Sequence, residues 1–149
     1  MRHLENVVHF DAPIERVFDL AIDPGRWTEY MPWISDVTDV HGRGDRVGDV
    51  ASFTDHAPGR TVRATVIVTE AIRPALQTTE THYEDGSHMV MTMRFTPSDG
   101  GTDIATTADY QLATGLLSGI QEVVTGPFVE RRMREMAQNF ARLLEPALV

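Results

Sequence analysis

The chain has 149 residues, of which 42% are apolar, and a formal net charge of −9. That is the length of one domain with enough apolar residues for a core, and the expectation is a single domain over 1–149. The acidity excludes nucleic acid and anionic membrane as default partners, and the lack of cysteine excludes a disulfide scaffold and a thiol nucleophile.

The first residues, Met1 to Asn6, lack the apolar core of a signal peptide. No apolar run approaches the roughly 20 residues of a membrane span. A cytoplasmic protein is therefore expected. No repeat or low-complexity tract breaks the chain.

Residues 2–10, with Val7, Val8 and Phe10, read as a first strand. A helix follows, with Asp11 placed to cap it and Pro13 suited to its first turn. Ile14, Val17, Phe18, Ala21 and Ile22 form its apolar stripe, and Asp23-Pro24-Gly25 ends it. A second short helix is expected to stop near Tyr30, because Pro32 disfavours helix before it. Six strands are then predicted: Ile34–Val40, Val47–Asp55, Thr61–Glu70, Ala75–Tyr83, His88–Thr96 and Thr102–Leu112. The turns between them are short, so neighbours must be antiparallel.

Two Asp-Gly pairs set the register. Read as two-residue hairpin loops, Asp85-Gly86 places His82 opposite Met89, Glu80 opposite Met91 and Thr78 opposite Met93. Asp99-Gly100 places Phe95 opposite Ile104, Met93 opposite Thr106, Met91 opposite Ala108 and Met89 opposite Tyr110. Both assignments turn Met89, Met91, Met93 and Phe95 inward. They turn Gln77, Thr79, Thr81, His88 and Arg94 outward.

In the last third, Val129, Met133, Met136, Phe140 and Leu144 recur at spacings of four, three, four and four. That is one stripe of a helix. Arg131, Arg134, Glu135, Gln138 and Arg142 fall off it and should face water. Gly126-Pro127 interrupts the helical stretch, since proline removes a helix hydrogen bond. Leu116–Val124 then forms a separate or kinked segment, and the joint is either a gate or a fixed kink. The expected fold is α+β: one helix gripped by a curved antiparallel sheet.

Residues 8–20, Val-His-Phe-Asp-Ala-Pro-Ile-Glu-Arg-Val-Phe-Asp-Leu, carry a family resemblance. So do Asp23 with Trp27-Thr-Glu-Tyr-Met-Pro-Trp-Ile, the Val47-Gly48-Asp49 strand start, the Gly100-Gly101-Thr102 hairpin and the terminal amphipathic helix. The chain resembles the helix-grip (SRPBCC, START-like) superfamily, in particular its bacterial polyketide cyclase/dehydrase-like branch. The resemblance implies seven strands around the last helix, two short helices after strand 1, and an apolar cavity between helix and sheet. It is a poor guide to activity, because this superfamily mixes carriers, sensors and enzymes.

The hairpin register directs Glu80 and His82 into that cavity beside Tyr110. Burial would raise the Glu80 carboxyl toward the general acid/base range. A bulge that shifts the register, or a place at the cavity mouth, would undo this. Trp27, Tyr30, Met31 and Trp33 either line the entrance or close the end of the sheet. Met89, Met91, Met93, Met133 and Met136 either face a pocket that adapts to its ligand or fill a core. Phe95, Ala108, Phe128 and Phe140 complete the candidate ligand-binding set.

The six histidines show no metal-ligand spacing: His3 and His9 lie roughly 20 Å apart on one strand. Arg43-Gly44-Asp45 is a turn. No metal or cofactor is called for. The leading expectation is a binding protein for an apolar small molecule: a lipid, isoprenoid or polyketide-like aromatic. The alternatives are an aromatase/cyclase or dehydratase using Glu80, His82 and Tyr110, and a protein-interaction module docking through Trp27–Trp33. The enzyme reading lacks an inward arginine, because alternation with Val62, Ala64 and Val66 turns Arg63 outward.

Overall fold

The computed structural model describes residues 2–112 and 127–145. Among these, seven strands form one antiparallel sheet in the order β1-β7-β6-β5-β4-β3-β2. The strands are β1 (Arg2–Phe10), β2 (Ile34–His41), β3 (Val50–Ala57), β4 (Arg60–Ile72), β5 (Leu76–Tyr83), β6 (His88–Ser98) and β7 (Gly101–Gln111). Helix α1 (Ile14–Ile22), a 3-10 turn (Pro24–Arg26) and α2 (Trp27–Tyr30) connect the two sheet edges. A C-terminal helix runs from Pro127 to Leu144. This is the α+β helix-grip architecture expected from the sequence.

Helix α1 forms because its stripe is apolar and Asp23-Pro24-Gly25 stops it. Val17 and Phe18 are fully buried, and the Phe18 ring meets Phe95 edge-on at 5.0 Å. The expected Asp11 cap is absent. Pro13 occupies the cap position without a side-chain hydrogen bond, and the Asp11 carboxylate pairs with His9 Nε2 at 3.0 Å. Asp23 acts at the next start instead, accepting from the Gly25 N–H at 2.9 Å.

Strand β3 begins at Val50 rather than Val47. The preceding residues are held in a turn in which Asp49 Oδ2 accepts from the N–H groups of Gly44 (3.0 Å) and Arg46 (3.1 Å). Arg43-Gly44-Asp45 belongs to this turn. A side chain at Gly44 would collide with the Ile22 carbonyl oxygen. Edge strand β2 is irregular: Asp36 and Asp39 have positive φ, and its pairing to β3 shifts twice. Such kinks blunt an exposed edge.

The β6–β7 hairpin has the predicted register, with Phe95 opposite Ile104 and Met89 opposite Tyr110. Asp99 and Gly100 both have positive φ, as a type I′ turn requires. The β5–β6 hairpin does not have its predicted register. Thr81 lies opposite Met89, Thr79 opposite Met91 and Gln77 opposite Met93. The loop holds three residues rather than two. The Tyr83 N–H donates to the Ser87 carbonyl, and only Gly86 in the loop has positive φ. One extra loop residue moves every side chain of β5 to the other face.

The stripe of the C-terminal helix is divided. Its last part is clamped: Phe140 packs between Phe10 (4.7 Å) and Tyr30 (5.1 Å), and Leu144 is buried. Met136 and Met133, one and two turns earlier, are only half-buried. Arg131, Arg134, Glu135, Gln138 and Arg142 are exposed, as expected. The segment Leu116–Val124 and a joint at Gly126 lie outside the described residues.

Candidate functional site

A cavity of about 370 Å³ opens between the sheet and the C-terminal helix, along Phe128 to Phe140. Met89, Met91, Met93 and Ala108 line it from the sheet, and Phe128, Met133, Met136 and Phe140 from the helix. Trp27, Tyr30, Met31 and Trp33 line it from the α2 region. Tyr30 is buried and donates its hydroxyl hydrogen to the Ala21 carbonyl oxygen at 3.0 Å, which fixes the ring. Of the apolar candidates Phe95 alone is displaced from the lining; its ring fills the space under α1.

The three candidate catalytic residues separate. Tyr110 lines the cavity. Glu80 and His82 stand on the outer face of β5, with side chains 46% and 60% exposed. Their inward placement is corrected by the three-residue loop described above. His88, expected to face out, reaches the rim, where it lines the cavity and stacks on His82 at 6.4 Å.

The same slip brings Gln77, Thr79 and Thr81 inward, where all three are buried. Gln77 Nε2 donates to the Gly44 carbonyl oxygen at 2.7 Å. Thr79 is 5% exposed, and its hydroxyl has no hydrogen-bond partner among the described residues. One wall of the cavity therefore carries polar atoms beside the methionines.

A charged cluster at one end was not legible as a site. Asp55, Arg60, Tyr83 and Arg132 all line the cavity. Arg132 Nη1 lies 3.0 Å from Asp55 Oδ1, and the two side chains are 19% and 17% exposed. The Arg132 guanidinium sits over the Phe128 ring at 4.5 Å and the Trp33 ring at 4.9 Å. It also donates to the His56 carbonyl oxygen. Arg60 pairs with Asp85 and lies over the Tyr83 ring. Burial pushes the Tyr83 hydroxyl well above the ordinary phenol range, so it stays protonated.

The inner face thus has two arginines where none was expected, while Arg63 does face outward, donating to Thr54 Oγ1 at 3.1 Å. Parity carried the missing signal. Arg60 shares the inward parity of Val62, Ala64 and Val66, and Asp55 that of Ala51 and Phe53, whereas Tyr83 shares that of Thr79 and Thr81, which the expected two-residue loop had turned outward. Arg132 follows Phe128 by one helical turn and so flanks the apolar stripe.

His3 and His9 lie away from the cavity. His3 bridges Asp109 (2.6 Å) and Glu5 (3.0 Å), and His9 bridges Asp103 (2.7 Å) and Asp11 (3.0 Å), all on exposed surface. These carboxylates raise both imidazoles above the ordinary histidine range. No group of three or more potential metal ligands occurs among the described residues.

A curved antiparallel sheet that holds a hollow beneath one terminal helix defines the helix-grip class of ligand-binding folds. Within it, the chain belongs to the polyketide cyclase/dehydrase and lipid transport family, whose sequence model matches residues 1–145. The fold is similar to that of TTHA0849 from Thermus thermophilus (19% identity, 97% of this chain and 100% of that chain, TM-score 0.75). It is similar to CV1439 from Chromobacterium violaceum (14% identity, 99% and 100%, TM-score 0.72). It is also similar to major latex-like protein 151 from Panax ginseng (13% identity, 97% and 98%, TM-score 0.72). No curated protein matches the chain. Among the described residues, no helix is long and apolar enough to cross a membrane.

Proposed function

We propose that this protein binds an apolar small molecule of the lipid, isoprenoid or polyketide-like aromatic class, and holds it between sheet and C-terminal helix. The carrying observation is the hollow itself. Met91 from the sheet and Met136 from the helix border a space of about 370 Å³ instead of filling it. That size falls in the range of ligand pockets, roughly 300–1,000 Å³. Thioether walls adapt to varied apolar shapes at low cost. Native mass spectrometry of the purified protein, followed by organic extraction, is expected to show a bound small molecule. A bare chain that also takes up none of a panel of apolar compounds would overturn the proposal.

A second reading, an aromatase/cyclase or dehydratase, draws support from Asp55, Tyr83 and Arg132. They give the cavity a carboxylate, a protonated phenol and a guanidinium, the groups that proton transfer at a carbonyl-rich chain needs. Tyr110 also lines the cavity. In an enzyme, Asp55→Asn should lower turnover while affinity changes little, and Glu80→Gln should change neither. A native protein that binds the compound without turning it over would favour the carrier.

A further inference from the structure

We infer that the cavity selects an apolar ligand with an internal carbonyl group, and that Asn6 and Thr106 hold that oxygen; this rests on the binding reading above. Asn6 lies at the middle of β1 and Thr106 at the middle of β7, and the register sets them directly opposite each other. Their Cβ atoms are therefore about 5 Å apart. Both side chains line the cavity and both are half-buried, so a guest can reach them.

The pair interrupts an apolar wall. The cross-strand pairs on either side of it that face the hollow are Leu4 with Ala108 and Val8 with Ile104. On the next strand Met93 stands beside Thr106. Asparagine is also disfavoured in strands. Neither the Asn6 nor the Thr106 side chain has a hydrogen-bond partner among the described residues. The backbone does not supply one. β7 is paired on both sides, and strand N–H and C=O groups lie in the plane of the sheet while side chains stand off it. Polar groups that face an apolar hollow without partners cost stability. A guest that brings the partner offsets that cost.

The donors define that partner. The asparagine amide carries two N–H donors and the threonine hydroxyl one O–H. For amides, an unpaired N–H is tolerated less often than an oxygen with a lone pair unused. The missing group is therefore an acceptor. A ligand carbonyl oxygen takes one hydrogen from each residue. Both residues are neutral, so a carboxylate here would lack a counter-charge. Because the pair sits halfway along its strands, the carbonyl is internal to the ligand, as in a ketone flanked by apolar groups on both sides.

9-Fluorenone and fluorene test this, since they share one flat skeleton and differ only in a central carbonyl against a methylene. In calorimetric titration, the fluorenone-to-fluorene affinity ratio should be about tenfold higher in the native protein than in an Asn6→Leu/Thr106→Val variant, the value of two ordinary net hydrogen bonds. A site built to hydrogen-bond its ligand discriminates in this way. The infrared C=O stretch of 9-fluorenone bound to the native protein should also fall below its value in hexane, as it does in an alcohol. An equal ratio in the two proteins, or a stretch at the hexane value, overturns the inference and leaves the carrier reading standing. So does a lowered stretch that persists in the variant, because another donor would then hold the oxygen. If the double variant does not fold, Thr106→Val alone should narrow the ratio by about threefold; an unchanged ratio there overturns the inference equally. If neither compound binds the native protein, the carrier reading and this inference fall together.

Discussion

Replacing Met136 and Phe140 in turn by alanine measures whether the C-terminal helix covers a hollow. Both residues lie on one helix stripe and both become the same residue, so helix propensity contributes little to the contrast. Phe140 is 4% exposed between two aromatic rings. Its truncation leaves a new void in packed surroundings and should cost about 3–5 kcal/mol. Met136 already borders open space. Its truncation enlarges an existing cavity, so the void contribution is small. Only the transfer contribution of a half-buried side chain remains, about 1 kcal/mol. With a urea m-value of about 2 kcal/mol/M, the midpoint should fall by about 2 M for Phe140→Ala and about 0.5 M for Met136→Ala. Equal shifts for the two variants would mean that Met136 is packed as tightly as Phe140, and the hollow would not exist in solution.

Three further outcomes follow from the same geometry. Thr79→Val removes a buried hydroxyl with no partner among the described residues and should raise stability by about 1 kcal/mol in the same urea assay; a loss would mean the hydroxyl has a partner. Asp55→Ala strands the Arg132 charge and should cost about 3 kcal/mol, while adding Arg132→Met should restore much of it; equal losses in the two variants would refute a coupled pair. His3 and His9 have raised pKa values in the folded state, so their stabilisation is complete below the ordinary histidine value near 6.5 and disappears as pH rises through the folded values. The midpoint difference between the native protein and a His3→Gln/His9→Gln variant should therefore be greatest near pH 5.5 and close at alkaline pH; a difference that grows with pH would contradict the sign.

The terminal helix was legible because its face is set by a period of 3.6 residues, and the spacing of Val129, Met133, Met136, Phe140 and Leu144 states that period directly. The β6–β7 hairpin was legible because Asp99 and Gly100 both adopt the positive φ that a two-residue turn needs. The same dipeptide at 85–86 misled. Only Gly86 is in the left-handed region there, and the Ser87 N–H is taken by Asp85 Oδ1 at 2.9 Å. Loop length, not the dipeptide, then sets which face of β5 is buried.

Asp-Gly is compatible with a two-residue loop and with a three-residue loop, and the two differ by one step along a strand whose side chains alternate. Local chemistry cannot choose between them; the pairing of β5 with β4, which sets Tyr83 opposite Ala64 and Thr81 opposite Val66, does. That choice sends Glu80 and His82 to water and Thr79, Thr81 and Tyr83 to the cavity. The Asp55–Arg132 pair joins residues 77 positions apart, and no local pattern records such a meeting. Element types and the helix stripe are written in the chain because they depend on neighbours in sequence. The polar end of the cavity was decided only when distant strands and the terminal helix came together.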